Sequence, residues 1–526
     1  MNHVVPGQTS DTYVKTKSET NIGTFCLVLH SHLPWVAHHG SWPVGEEWLH
    51  QAWAASYLPV TDLLAELADR GRTEVLTLGV TPILAAQLDD PYCVAEQLRW
   101  LHDWQLRAIG MAASTDATLQ DHGSREYARA TWSIGEFESR WSRGGSPFLR
   151  SLVDSRVIEL LGGPATHPFL PLQEQHWRRA ALRIGSDDAV LRWGTRPTGL
   201  WAPECGYQPG LEVDYAAIGI DHFLVDGPTL QSIDHSTALA WQIEGSDVSI
   251  LARDLEVTYR VWSPRRGYPG GRWYRDFHTF DHQWGIRTSR VTGKQIAPQD
   301  KAPYDEHAAR QALEIDAADF VRVVHERLMQ QRQATQQHPI VVAAYDTELF
   351  GHWWHEGPQF LRLILDLLPQ AGIEVTTLRQ ALHQHGVAGS VQLPAGSWGS
   401  GKDWRVWDGE QVADVVRTNA HMRELTERAL LHCLSTTANS RDRVLDQLLQ
   451  SALLAQASDW AFMITKDSAA DYARGRINDH QAGVQGLANA ILANDHDLAS
   501  RLANRLRTVD APFGHVDARS LSADSR

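Results

Sequence analysis

Two acids in this chain stand where the surrounding sequence offers them no partner. Glu204 interrupts the apolar stretch "TGLWAPECGY" (198–207), and Asp346 closes the run "IVVAAYD" (340–346). A carboxylate in such a setting is costly unless it is paired, hydrogen-bonded or used. Two of them brought to one mouth are the equipment for splitting a glycosidic bond. One attacks the anomeric carbon and the other protonates the departing oxygen, at about 5–5.5 Å for retention and farther apart for inversion. Taken from spacing alone, the alternative is a pair of ordinary structural acids.

Histidines and tryptophans form the second group of candidates. His30 and His32, two apart at a strand end, share a face. They suit sugar-hydroxyl binding, metal ligation or a hydrogen-bonded core pair. His352 and His355 in "DTELFGHWWHEG" are three apart, a spacing that fits one helical face, and with Asp346 they would make a metal site. No ligand set has convincing spacing, so neither a metal nor another cofactor is expected. The chain has 21 tryptophans. Trp48, Trp201, Trp273, Trp398 and Trp407 lie in polar, glycine-rich company, which suits stacking on sugar rings as well as core filling. "GSWGSGKD" (396–403) imitates a phosphate-binding loop, but Asp403 stands where Ser or Thr must reach magnesium. "RRGYPGGRWYRDFH" (265–278) reads as a substrate lid or a rigid surface loop. Asp459 and Trp460 in "QASDWAF" would reach a barrel mouth from a following helix, or Asp459 would be a helix cap or hinge.

These residues need a frame, and the apolar pattern supplies one. Runs rich in Val, Ile and Leu end on polar residues: "TFCLVLH" at His30, "EVLTLGVT" at Thr81, "TGLWAPE" at Glu204, "HFLVD" at Asp226, "VSILARD" at Asp254 and "IVVAAYD" at Asp346. "VIELLGG" leads to His167, and "IEVTTL" follows at 373–378. Such runs suit parallel strands buried on both faces. Helical patterns such as "YLPVTDLLAELADRG" and "HAARQALEIDAADFVRVVHERLMQQR" lie between them. The alternation predicts an α/β fold, a barrel rather than an open sheet, with polar strand ends at the catalytic mouth. The expected organisation is a tail at 1–21, a barrel domain with inserted helices and loops at 22–408, a helical domain at 409–510 and a tail at 511–526. Residues 380–408 read as loop. In the helical part Leu445, Leu448, Leu449 and Leu453 share one face.

Composition narrows the partners. With 526 residues, 43% hydrophobic and 21% charged, the chain reads as soluble and globular. A net charge of −15 argues against nucleic acid and anionic membranes. No secretory signal or membrane span is legible. The four cysteines (Cys26, Cys93, Cys205, Cys433) are dispersed, as expected in a reducing cytoplasm. Nothing in the sequence sets an oligomeric state.

Taken together, five stretches in order resemble glycoside hydrolase family 57, in particular its 1,4-α-glucan branching members: "LHSHLPWVAHHGSWPVGEEW", "GGPATHPFLPL", "GLWAPECGY", "YDTELFGHWWHEG" and "SDWAFM". The resemblance implies an incomplete (β/α)7 barrel followed by a helical domain. It implies retaining transfer that cleaves an α-1,4 linkage and forms an α-1,6 branch in a glycogen-like glucan, without a cofactor. By the resemblance Glu204 is the nucleophile and Asp346 the general acid/base. His30, His32 and His167 line the sugar subsite, Trp273, Trp398 and Trp407 guide the glucan, and Asp459 completes the cleft. A 4-α-glucanotransferase or α-amylase of the same family is the alternative. A metal-dependent deacetylase using His30, His32, Asp346 and His352, and a non-catalytic glucan binder, are the more distant ones. There is one departure. The stretch matching the family's tyrosine-bearing loop, "DGPTLQSIDHSTALA" (226–240), has no tyrosine, and Tyr268 in another loop is the substitute to examine.

Overall fold

The computed structural model describes residues 21–42, 44–263, 267–434 and 440–523. The expected tail at 1–21 lies outside them except for Asn21. Seven strands form a parallel ring: β1 (Thr24–Ser31), β2 (Leu76–Val80), β3 (Ile158–Gly162), β4 (Gly199–Leu200), β5 (His222–Asp226), β6 (Ser249–Arg253) and β7 (Ile340–Asp346). Each pairs with the next, and β7 returns to β1 in a register that sets His30 opposite Asp346. The β6–β7 seam is thin, a single bridge between Arg253 and Val342. The predicted barrel is therefore the observed one.

Side-chain alternation decides what reaches the mouth. Cys26, Val28, Leu161, Leu224, Leu251, Val342 and Ala344 form one buried cluster inside the ring. Phe25, Leu27, Leu29, Val341 and Ala343 belong to the outer cluster under the helices. Extending the inner series by two residues, the period of a strand, puts His30, Asp226, Arg253 and Asp346 at the inward-facing end of their strands. The chemistry thus sits where the apolar interior stops.

Among the described residues five helices longer than two turns follow the barrel: Ala413–Leu434, Arg443–Ala455, Ser458–Lys466, Ala470–Leu492 and His496–Arg507. Leu445, Leu448, Leu449 and Leu453 are buried in the second, which is enclosed on all sides from Leu445 to Ala455. Each fully buried leucine contributes about 1.5–3 kcal/mol. This layer is fastened to the barrel: the Thr166 hydroxyl donates to Leu453 O (2.7 Å), Ser458 N to His167 O (3.0 Å) and Trp35 Nε1 to Val509 O (2.8 Å).

Two expectations change here. Residues 511–526 were expected as a tail, yet Phe513, Val516, Ala518 and Leu521 are buried. Asp446 accepts from Ala518 N, and the Arg441 guanidinium donates to Gly514 O and Val516 O. Spaced apolar residues too few to show a period carried that packing. The stretch from 380, expected as loop, opens inside a helix, Leu378–His385, capped by Thr377. "IEVTTL" yields only the two-residue strand Glu374–Val375 on the outside of β1.

Candidate active site

Glu204 follows β4 in a tight turn, Pro203–Cys205, and its own φ of 61° lies in the left-handed region. That conformation is uncommon for a residue with a Cβ and is kept only where surrounding packing fixes it. The turn aims the side chain into the mouth, where it is 8% exposed. Both carboxylate oxygens are held: Trp398 Nε1 donates to Oε2 (2.7 Å) and the Ser458 hydroxyl to Oε1 (2.7 Å). Trp398 N also donates to Glu204 O (2.9 Å), so the loop and the turn fix each other.

Around Glu204 three imidazoles form a stack. His32 lies on His167 with ring centroids 3.8 Å apart, and His30 lies on Trp201 at 4.2 Å. His32 Nε2 meets the Asp459 carboxylate at 2.9 Å and Nδ1 meets Thr81 Oγ1 at 2.9 Å. Burial opposes protonation of His32, but the Asp459 charge outweighs it and the pKa is raised. Burial and the neighbouring His32 charge push His30 and His167 well below the ordinary range. His167 Nδ1 pairs with Ser458 Oγ (3.0 Å). Both nitrogens of His30 and Nε2 of His167 are buried without a partner. Each such orphan costs ~1–3 kcal/mol unless a ligand supplies the missing bond.

Asp346 reaches this cluster from β7. Burial raises its pKa to about 6, opposed by Arg253 and His32. Burial together with the Asp459 charge lifts Glu204 to about 7, against its two hydrogen bonds and His32. Geometry assigns the proton. Both oxygens of Glu204 accept N–H or O–H donors, the pattern of an anion, whereas the Asp346 carboxyl has no hydrogen-bond donor among the described residues. Arg253 sits over the Trp398 ring at 5.3 Å and is held by Asp226 at 2.7 Å.

Sequence reasoning missed Ser458, Arg253 and Glu348. Glu348 lies two residues past Asp346, is 4% exposed and accepts from the Tyr57 hydroxyl and from His32 N. Burial, reinforced by the Asp346 charge, raises its pKa to about 8. The turn that carries it needs Gly351, whose φ is 121° and whose Cβ would stand 1.7 Å from Ala55 O.

Several expected members lie elsewhere. Trp407 is 2% exposed and stacks on Phe169 at 4.6 Å, so it backs the wall rather than offering a free face. Trp273 is exposed, with Arg272 and Arg290 against its ring at 5.0 and 4.4 Å, and among the described residues it makes no hydrogen bond or ring contact with the carboxylate cluster. His352 and His355 are in a turn before the helix Gly357–Gln370, away from His30 and His32. Lys402 of the "GSWGSGKD" loop is bound to Asp226 at 2.7 Å, which removes any likeness to a phosphate loop. In "RRGYPGGRWYRDFH", from Gly267 on, the Tyr268 hydroxyl donates to Asp319 (2.6 Å) and that of Tyr274 to Asp316 (2.5 Å). Tyr268 is therefore fixed to the outer helix Glu306–Thr335 and does not replace the missing loop tyrosine.

Among the described residues two groups have ligand atoms close enough for a metal: His32 with His167 and Asp459, and His338 with Glu374 and His385. The first is already tied by the Asp459 and Ser458 contacts. The second surrounds the Thr24 hydroxyl, at 2.9, 3.1 and 3.1 Å, which one donor and two acceptor sites satisfy.

The sequence model of glycosyl hydrolase family 57 matches residues 26–394, and that of the 1,4-alpha-glucan branching enzyme C-terminal region matches 414–520. A Mycobacterium tuberculosis protein named probable 1,4-alpha-glucan branching enzyme is 49% identical over 518 residues, 95% of this chain and 98% of that protein. The crystal structure of a branching enzyme of the same family from Thermococcus kodakaraensis superposes with a TM-score of 0.89 at 30% identity, covering 95% of this chain and 96% of the other. An α-amylase structure from Thermotoga maritima gives 0.84 at 26% identity, covering 95% and 99%.

Proposed function

The chain belongs to glycosyl hydrolase family 57, and we propose that it is a 1,4-α-glucan branching enzyme with Glu204 as nucleophile and Asp346 as general acid and base. One observation carries the residue roles. Glu204 accepts a donor on each oxygen from a strained turn at the barrel mouth, while Asp346 enters the same buried cluster with no donor of its own.

The reaction then has two steps. The ionised Glu204 attacks the anomeric carbon of an α-1,4 linkage as the bond to the leaving O4 breaks, and the Asp346 proton passes to that oxygen. A glycosyl ester on Glu204 results. Asp346, now a carboxylate, takes the proton of an acceptor 6-hydroxyl while that oxygen displaces Glu204, giving an α-1,6 branch with net retention. Esterification removes the charge of Glu204, which lets the acidity of its neighbours rise for the second step. The buried Nε2 atoms of His30 and His167, which have no partner among the described residues, would bind sugar hydroxyls. Trp398 both holds the nucleophile and offers an aromatic wall. The His32–Asp459 pair sets the charge beside Glu204.

Donor and acceptor are read as a glycogen-like glucan, handled in the cytoplasm. The free cysteines, three of them buried, support a reducing compartment. None of the described helices is long and apolar enough to cross a membrane.

Incubation with amylose tests the reading through chains released by a debranching enzyme and through reducing ends. New α-1,6 linkages with few reducing ends, absent from Glu204→Gln, are expected. Reducing ends without branches would move the protein to the α-amylases of the family.

A further inference from the structure

The turn after Asp346 borders a second cavity, of about 110 Å³, whose other walls come from the helices at 46–57, 91–112 and 117–136 and the loop at 275–287. None of Glu204, Asp346, His32 or Asp459 lines it. One water takes roughly 10–15 Å³ of such space, so it has room for a much larger ligand.

Its charges do not balance. Glu126 accepts from both Arg129 (2.9 Å) and Arg275 (2.8 Å), one carboxylate between two guanidinium groups. Arg107 is matched outside the cavity by Asp103, and Asp276 by Lys301. Glu47 takes only neutral donors, Gln51 and Trp100 Nε1, so the cavity keeps one acid, yet its arginines still exceed its acids by one. Arg287 is the arginine without a bound carboxylate. It is half-buried, its Nε donates to Phe277 O (2.7 Å), its guanidinium covers the Phe277 ring at 4.5 Å, and it has no ion pair among the described residues. Burial and the nearby Arg275 lower its pKa to about 10, the mark of an unpaired cation beside a like charge. His352 and His355 line the same space, and burial with the adjacent arginines keeps them neutral.

A planar guanidinium with free N–H groups, next to a second one, matches an oxyanion. Trp100 and Trp353 line the same cavity, Trp353 with one face on Trp262, and such rings are of the kind that stack on sugars. We propose that this cavity binds the oxyanionic group of an acidic saccharide, a phosphate or a carboxylate, with Arg287 as its principal ligand. The site is separate from the carboxylate cluster and does not rest on the branching reaction.

Thermal shift and calorimetric titration of the full chain at fixed ionic strength test it, with inorganic phosphate, glucose 6-phosphate, glucuronate and, as a neutral control, glucose. Saturable binding of at least one anion, stronger than that of glucose, is expected. Preference between glucose 6-phosphate and glucuronate identifies the group. Arg287→Gln should weaken the anion by about tenfold or more, and Arg287→Lys by less, since lysine keeps the charge but loses the fork. Without anion, Arg287→Gln should melt at or above the wild-type temperature, because it removes an unpaired cation. No saturable binding by any anion, glucose binding as tightly as the anions, or unchanged anion binding in both variants would overturn the proposal.

Discussion

The two ends of the barrel use the same residue types to opposite effect. At the mouth, His30, His32, His167, Glu204, Asp346, Glu348 and Asp459 crowd together with orphaned nitrogens, and His167, Glu204 and Cys205 hold positive φ values of 57°, 61° and 49°. At the base, Glu159 of β3 faces His222 of β5 at 2.8 Å, and its other oxygen accepts from the Thr77 hydroxyl (2.9 Å) and Arg379 N (3.0 Å). The base pair balances its charges without a ligand. The mouth is incomplete and strained, and holds more acids than cations. In parallel barrels the end at which strands finish carries chemistry and the other carries stability; here the difference is legible bond by bond.

Substitutions at the two ends should therefore separate activity from stability. Glu204→Gln should lower branching by about five orders of magnitude, as removal of a nucleophile does, with a melting temperature equal to or above wild type. Asp346→Asn should cost ~10²–10⁴ in rate, the usual share of general acid–base catalysis, again without loss of stability. Glu159→Gln should do the reverse. Breaking a buried pair costs ~3–5 kcal/mol, seen in denaturant unfolding, while kcat per folded molecule stays at the wild-type value. If Glu159→Gln lost activity at constant stability, the contrast between the ends would fail.

The smallest effects are those of pH. Branching needs one proton shared by Glu204 and Asp346, so kcat/KM should follow a narrow bell with limbs between about 6 and about 7. Both acids are raised on folding, so the native state holds protons that the unfolded chain has released. Stability should fall as pH rises from the ordinary carboxylate range to about 7, and Glu204→Gln should flatten that slope. At the base, burial opposes the charge on His222, but Glu159 and Asp221 together outweigh it and lift the pKa to about 9. That contribution is full below the ordinary histidine value and lost as pH rises through about 9. Glu159→Gln should shrink the upper decline in melting temperature, leaving the part that Asp221 sustains, and leave the lower one.

Much of the barrel was readable because buried parallel strands are written as apolar runs, and Glu204 and Asp346 stand out where such runs stop. Position by periodicity went only so far. "VSILARD" drew attention to Asp254, which caps the following helix, while its neighbour Arg253 faces the mouth. Ser458 stood unread beside Asp459, because a serine at a helix start suggests a cap rather than a hydrogen bond to Glu204 across the molecule. Trp407 and Trp273 shared the glycine-rich company of Trp398, and only packing separates a buried wall or an arginine-flanked ring from the tryptophan that holds Glu204. Arg287 carried no signal at all, since an unpaired charge is a property of three-dimensional neighbours.

The most direct measurement is to treat Asp346→Asn with an α-maltosyl fluoride, whose fluoride departs without an acid, and to map the trapped sugar by peptide mass spectrometry. A glycosyl mass on the peptide that contains Glu204 is the expected result. A label on Asp459 or Glu348, or no label while the fluoride is still consumed, would contradict the assignment of Glu204 as the nucleophile.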